Sequence, residues 1–283
     1  MSLSLVLNTN NVITNGLNSQ YQYNFINVAF NVPQNSTMCI SNVTIPYSWF
    51  NLNSSLYSNT SFQYTFPTSS GTVTFSVNIP NGFYDVDNIN EYLQSVMIKN
   101  KQYLVNASGQ YVYYITLAYN TTYYGVQLKC YNVPTSLPTG YTNPSGMTFS
   151  STTSTPQLIV LSTNNFGTII GFSTGTYPSV PQTTTQTVLS NTTPNGSPVN
   201  SLIMRCNLID NSVAMPSDIV DSIPIDAVFG ANVTYQPNFP KWVKLKAGKY
   251  SYMTVQFVDQ DNNAIQANDN NVLITLLLQL GTV

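Results

Sequence analysis

The chain has 283 residues but only 8 Lys/Arg and 10 Asp/Glu, no histidine, and Glu91 as its one glutamate. An ordinary soluble domain is about 25% charged, whereas this one is 6% charged, leaving about one charge per 650 Å² of a surface of roughly 12,000 Å². That exterior is cheap to desolvate, as a packed building block requires; a net charge of −2 argues against general nucleic-acid binding, and the missing histidine removes the usual general base.

Strand formers dominate, with Tyr 20 and Phe 13 beside Gly 14 and Pro 16 as punctuation, so the pattern predicts an all-β fold. Tyr21–Val32 alternates as one strand, Pro33-Gln34-Asn35 turns the chain, and Thr37–Pro46 follows. Phe62–Phe66 and Thr72–Ile79 come next, the latter closed by Asn81-Gly82. One helix is predicted over Val86–Lys99, capped by Asp85 or Asp87, with an apolar stripe of Ile89, Tyr92, Leu93, Val96 and Met97. Tyr111–Ala118 and Tyr123–Asn132 read as a hairpin across Asn120-Thr121-Thr122. Residues 133–157 and 173–200 are rich in Ser, Thr and Pro and read as loops or insertions around the short strand Gln157–Ser162. Ser201–Ile209, Ala231–Gln236, Lys249–Val258 and Asn271–Leu280 supply the last strands. Ten to twelve strands with one short helix predict a single jelly-roll β-sandwich spanning 1–283, with an insertion or long loops within about 103–200.

Cys39, Cys130 and Cys206 are odd in number, widely spaced and set in strand-like runs, so they read as small hydrophobes in a protein made in a reducing compartment. The opening MSLSLVLNTNNV lacks a basic region and a long apolar run, and Val272–Leu280 is half a membrane span in length. A soluble protein with no membrane span is expected. The sequons at Asn35, Asn120 and Asn232 recur about as often as the composition alone produces.

The order of elements carries a resemblance. IPNGFYDVDNINEYLQ (Ile79–Gln94) sets a Gly-aromatic turn before the capped helix, and NFGTIIGFSTGTYP (Asn165–Pro178) comes later. SLIMRCNLIDNSV (Ser201–Val213) leads into DIVDSIPID (Asp218–Asp226), and YSYMTVQFVDQDNNAIQANDNNVLITLLLQL (Tyr250–Leu280) closes the chain. Across residues 20–280 this succession resembles the minor capsid, or penton, proteins of virophages and polinton-like double-stranded DNA viruses. The resemblance implies a homopentamer at the five-fold vertices of an icosahedral capsid, surrounded by a double-jelly-roll major capsid protein. It implies a virion protein assembled in the host cytoplasm or a viral factory, with no enzymatic activity and no cofactor. The alternative is a trimeric jelly-roll spike, or a receptor- or glycan-binding head.

Four sets of residues invite a functional reading. Asp85 and Asp87 pair carboxylates, but capping accounts for them. Asp259, Asp261 and Asn263 alternate oxygen ligands before Asp269, as a calcium loop does, but Ala264 and Asn270 stand where glycine and a bidentate glutamate belong. The weaker expectation there is a metal, the stronger a polar hairpin loop. Lys241, Lys244, Lys246 and Lys249 beside Trp242 face either viral DNA, an acidic neighbour, or solvent. Phe166, Phe172, Tyr177 and the uncharged 173–200 stretch are expected to order at a subunit contact.

Overall fold

The computed structural model describes residues 2–13, 17–26 and 29–281. It forms two compact units, Met1–Phe50 with Val199–Val283, and Asn51–Pro198. The first unit opens with β1 (Ser2–Asn8), β2 (Gln20–Asn24), β3 (Phe30–Val32) and β4 (Thr37–Pro46). The second holds β5 (Ser61–Thr68), β6 (Gly71–Asn78), α1 (Val86–Lys99), β7 (Tyr103–Asn106), β8 (Tyr111–Tyr113), β9 (Ile115–Asn120) and β10 (Gly125–Cys130). It continues with β11 (Tyr141–Thr142), β12 (Gln157–Val160), α2 (Phe166–Ile170), β13 (Gly175–Tyr177) and β14 (Gln186–Leu189). The chain returns to the first unit with β15 (Ser201–Cys206), β16 (Ile219–Pro224), β17 (Asn232–Tyr235) and β18 (Val243–Lys244). It ends with β19 (Gly248–Tyr250), β20 (Tyr252–Val258) and β21 (Leu273–Gln279).

The long strands of the first unit form two antiparallel sheets, β1-β21-β4-β17 and β16-β15-β20-β2. Counted along that unit, the first strand lies beside the eighth, and the third and sixth complete the sheet. The second, seventh, fourth and fifth make the other. That order is the jelly roll, and the first unit is the jelly-roll sandwich that the composition and strand count predict. Every second residue is buried in β15, in β21 and through most of β20, so each sheet offers one apolar face, as a sandwich requires. Tyr21 and Phe257 meet edge-to-face across β2 and β20 at 6.0 Å, each burial stabilising by roughly 2–3 kcal/mol. β4 and β21 shift register between Thr275 and Leu276, leaving Ser41 of β4 unopposed in a bulge. Because neighbours run antiparallel, connections alternate between the ends. β1–β2, β4–β15, β16–β17 and β20–β21 join at one end; β2–β4, β15–β16 and β17–β20 join at the other.

The second unit builds sheets β13-β12-β5-β6, β14-β10-β9 and β11-β7-β8. α1 matches its predicted bounds because its signals are strong. Asp85 and Asn88 form a reciprocal capping box, and Ile89, Leu93 and Met97 make a fully buried stripe at four-residue spacing. Tyr92 and Val96 pack at the margin of the same core. α2 was not among the predicted elements: five residues are too few to show a helical period. Its Phe166 stacks on Phe62 with centroids 4.5 Å apart, and Gly171 ends it at φ +71°, a conformation that costs any other residue.

Three further differences have physical reasons. Tyr21–Val32 is not one strand; β2 pairs with β20 while β3 pairs with β19, and Phe25 and Ile26 lie between them. Residues 27–28 of that stretch lie outside the described residues. The 173–200 segment is not left for a neighbour to order: β13 pairs with β12 and β14 with β10 inside the same unit. Finally, the inserted unit begins at Asn51, earlier than the 103–200 stretch in which an insertion was expected. Alternation in β5 and β6 reports a strand, not the sheet it joins.

Candidate functional site

In the loop between β20 and β21, Asp259 is buried. Its Oδ1 accepts the backbone N–H of Asp261 at 2.9 Å and of Asn263 at 2.8 Å, and its Oδ2 accepts Nδ2 of Asn263 at 3.1 Å. The N–H groups of Asp259 and Asn262 then close the turn on the carbonyls of Asn263 and Asp259, with Asn262 at φ +63°. Asp261 accepts from Gln260 Nε2 at 3.0 Å. Asp259, Asp261 and Asn263 thus come together as an Asx-type hairpin closure in which the buried carboxylate oxygens already face N–H donors. Asp269 is held elsewhere, its N–H donating to Ser48 Oγ at 2.9 Å.

The lysine run crosses the other end of the sandwich. Lys241 Nζ lies 2.8 Å from Asp221 Oδ1, whose Oδ2 accepts Tyr235 Oη–H at 2.7 Å. The hydrogen bond to Asp221 holds the Lys241 ammonium above its ordinary pKa. Lys244 lies 4.0 Å from Asp210, and Arg205 forks onto Asp218 at 3.0 and 2.9 Å. The strand order therefore sorts charge by end. Arg205, Lys241, Lys244, Lys246 and Lys249 gather with Asp210, Asp218 and Asp221 near β15–β16 and β17–β20. Asp226 lies in the β16–β17 connection and Asp259, Asp261 and Asp269 in the β20–β21 connection, and neither of these two loops carries a cation.

The cationic end also carries bulky apolar side chains in water. Ile26 is 96% exposed, Val213 94%, Met215 95% and Phe239 82%. The three connections that present them are tied together. Asp210 N–H donates to Lys244 O at 2.9 Å, Lys246 N–H to Leu208 O at 2.8 Å, and Phe25 N–H to Ser251 O at 3.0 Å. Sequence reading marked the lysines but missed these apolar residues, because exposure at a loop tip has no periodicity.

The remaining candidates are interior. Phe166 and Phe172 belong to the core of the second unit. Cys39, Cys130 and Cys206 are free and buried; burial pushes the Cys130 and Cys206 thiols up to about 12, which leaves them unreactive.

Asp85 and Asp87 do more than the sequence indicated. They border a cavity of about 360 Å³ in the second unit, together with Phe83, Tyr119 and Tyr124 and the segment bearing Pro194 and Gly196. Asn51, buried, ties two of its walls: Nδ2 donates to Tyr84 O and Gly196 O, each at 2.7 Å, and Oδ1 accepts Tyr84 N–H at 2.8 Å. Asn90 Oδ1 accepts Leu117 N–H at 2.9 Å, fixing α1 against β9, which bears Tyr119. No aromatic platform is legible in the sequence, since Phe83 lies 36 positions before Tyr119 and Pro194 lies 70 beyond Tyr124.

No protein-family profile matches this chain, and no curated protein does. Among solved structures it is similar to the mavirus penton protein, at 10% identity over 99% of each chain with a TM-score of 0.46. It is also similar to a chain of the Sputnik virophage, at 10% identity over 99% of this chain and 97% of that one, with a TM-score of 0.41. Superpositions this loose pair no side chain here with one of theirs.

Proposed function

We propose that this protein is a structural virion protein, the capsomer that forms homopentamers at the five-fold vertices of an icosahedral capsid. It acts by shape and interface, without catalysis or cofactor. One face of the jelly roll packs against a different face of the next copy until the ring closes. Each junction buries on the order of 1,000 Å² or more, and the sparse charge keeps the desolvation cost of that burial low. The observation that carries the reading is a jelly-roll strand order in a chain that is 6% charged, with bulky apolar side chains exposed at one end. Those exposed side chains fit a neighbouring copy or a double-jelly-roll major capsid protein, and the cations beside them fit the side facing packaged DNA. The polar closure around Asp259 serves the hairpin and not an ion.

Imaging of particles that contain the protein tests this. Density for the chain at the vertices, in rings of five, is expected. Density spread over the faces, or trimeric projections, would favour the spike reading.

A further inference from the structure

We infer that the cavity in front of α1 is a carbohydrate subsite that takes a neutral pyranose. Tyr124 is held in an unfavourable backbone conformation. It sits in the turn between β9 and β10 at φ +48°, backbone that penalises a side chain as large as tyrosine, and it is 66% exposed. The ring takes no part in the buried core of the unit. Yet the turn is fixed, with Asn120 Oδ1 accepting Tyr123 N–H at 3.3 Å. Tyr124 stands edge-on to Tyr119 at 6.1 Å and 79°, and both rings border the cavity together with Phe83, Asp85, Asp87 and Ile169.

The chemistry of that lining is specific. Phenol rings offer apolar faces to the C–H face of a sugar ring, and their hydroxyls reach its rim. Among the described residues no hydrogen bond or ion pair engages the Asp87 carboxylate or the hydroxyls of Tyr119 and Tyr124. They are therefore available to sugar hydroxyls, a few convergent polar groups on an apolar wall. At about 360 Å³ the space lies near the lower bound for small-molecule sites, roughly 300 Å³, and suits a sugar unit, not a polymer.

Charge chooses among sugars. The carboxylates of this unit, Asp85, Asp87 and Glu91, cluster at the start of α1, while Lys99 and Lys101 lie at its far end, about 20 Å away along the axis. An acidic sugar would meet the like charge of Asp85 and Asp87 with no cation in the lining, so a neutral hexose is favoured. The walls are preorganised by Asn51, by the Asp85–Asn88 capping box and by Asn90, so little ordering cost opposes a weak ligand. This site does not depend on the pentamer reading and is tested apart from it.

The test is saturation-transfer NMR on the full-length chain, with the methyl glycosides of glucose, galactose and mannose in one arm and sialyllactose in the other. Transfer to at least one neutral glycoside is expected, with little to sialyllactose. Tyr124→Ala should weaken binding about tenfold, the scale of one lost aromatic contact, and Asp87→Asn should weaken it severalfold. Both residues are exposed, and far-UV circular dichroism checks that each variant keeps its fold. Tyr141→Ala, at an exposed tyrosine of the same unit outside the cavity lining, should change nothing. No transfer to any neutral glycoside at ~50 mM, a level that detects even millimolar affinity, would overturn the inference. Binding unchanged in Tyr124→Ala would do the same, as would preference for the sialoside.

Discussion

Asn51 and Tyr114 show how much a single buried polar group can matter in so neutral a protein. Asn51 makes three hydrogen bonds that join Tyr84 to Gly196. Removing its amide in Asn51→Ala leaves part-buried backbone groups of Tyr84 and Gly196 unpaired, so a loss of about 1–2 kcal/mol is expected in urea unfolding; a variant as stable as the parent would refute that role. Tyr114 is the reverse case: its buried hydroxyl has no partner among the described residues, while its ring packs edge-on to Phe66 at 5.6 Å. Tyr114→Phe should therefore raise the urea midpoint by the equivalent of about 1 kcal/mol, with an unchanged slope. A drop would mean that the hydroxyl is satisfied in solution. At this scale the sequence was legible where a residue acts on near neighbours, as Asp85 does on Asn88, and opaque where partners are remote. Nothing in the spacing of Asn51, Tyr84 and Gly196 announces that they meet.

Elements were legible in proportion to their length and their caps. α1 has fourteen residues, a capping box and a buried stripe, and its bounds follow from the residues alone. α2 has five residues, and what makes it a helix is tertiary. A Cβ at Gly167 would lie 2.2 Å from Phe172 O and 2.6 Å from Val160 Cγ1, so only glycine lets the turn seat Phe166 against Phe62. Gly167→Ala is expected to cost about 3 kcal/mol, because the clash is with backbone that cannot swing aside. Thermal unfolding checks it, and a melting temperature within a degree or two of the parent would contradict the packing described. Strand pairing was the least legible level. The jelly-roll order joins residues from opposite ends of the chain, as in the pairing of β1 with β21, and period-two alternation is the same whichever sheet receives the strand.

For the molecule as a whole, burial of neutral acids replaces surface charge as the source of pH dependence. Burial raises the Cys130, Cys206 and Tyr64 values to about 12 and shifts Tyr21 and Tyr114 upward as well. In an unfolded chain thiols and phenols titrate near about 8.5 and 10. Below those values both states keep their protons and stability is unaffected. Above them the unfolded state releases protons that the folded state holds, so stability must fall as pH rises, until the folded-state values are passed. A urea midpoint lower at pH 11 than at pH 8 is expected; equal midpoints would contradict the burial of these groups. The larger claim is that a charge-poor jelly roll exists to be covered by copies of itself, and the mass of the native assembly tests it most directly. Native mass spectrometry of the purified full-length protein should give a ring of five chains. A lone monomer persisting at high concentration would contradict the account.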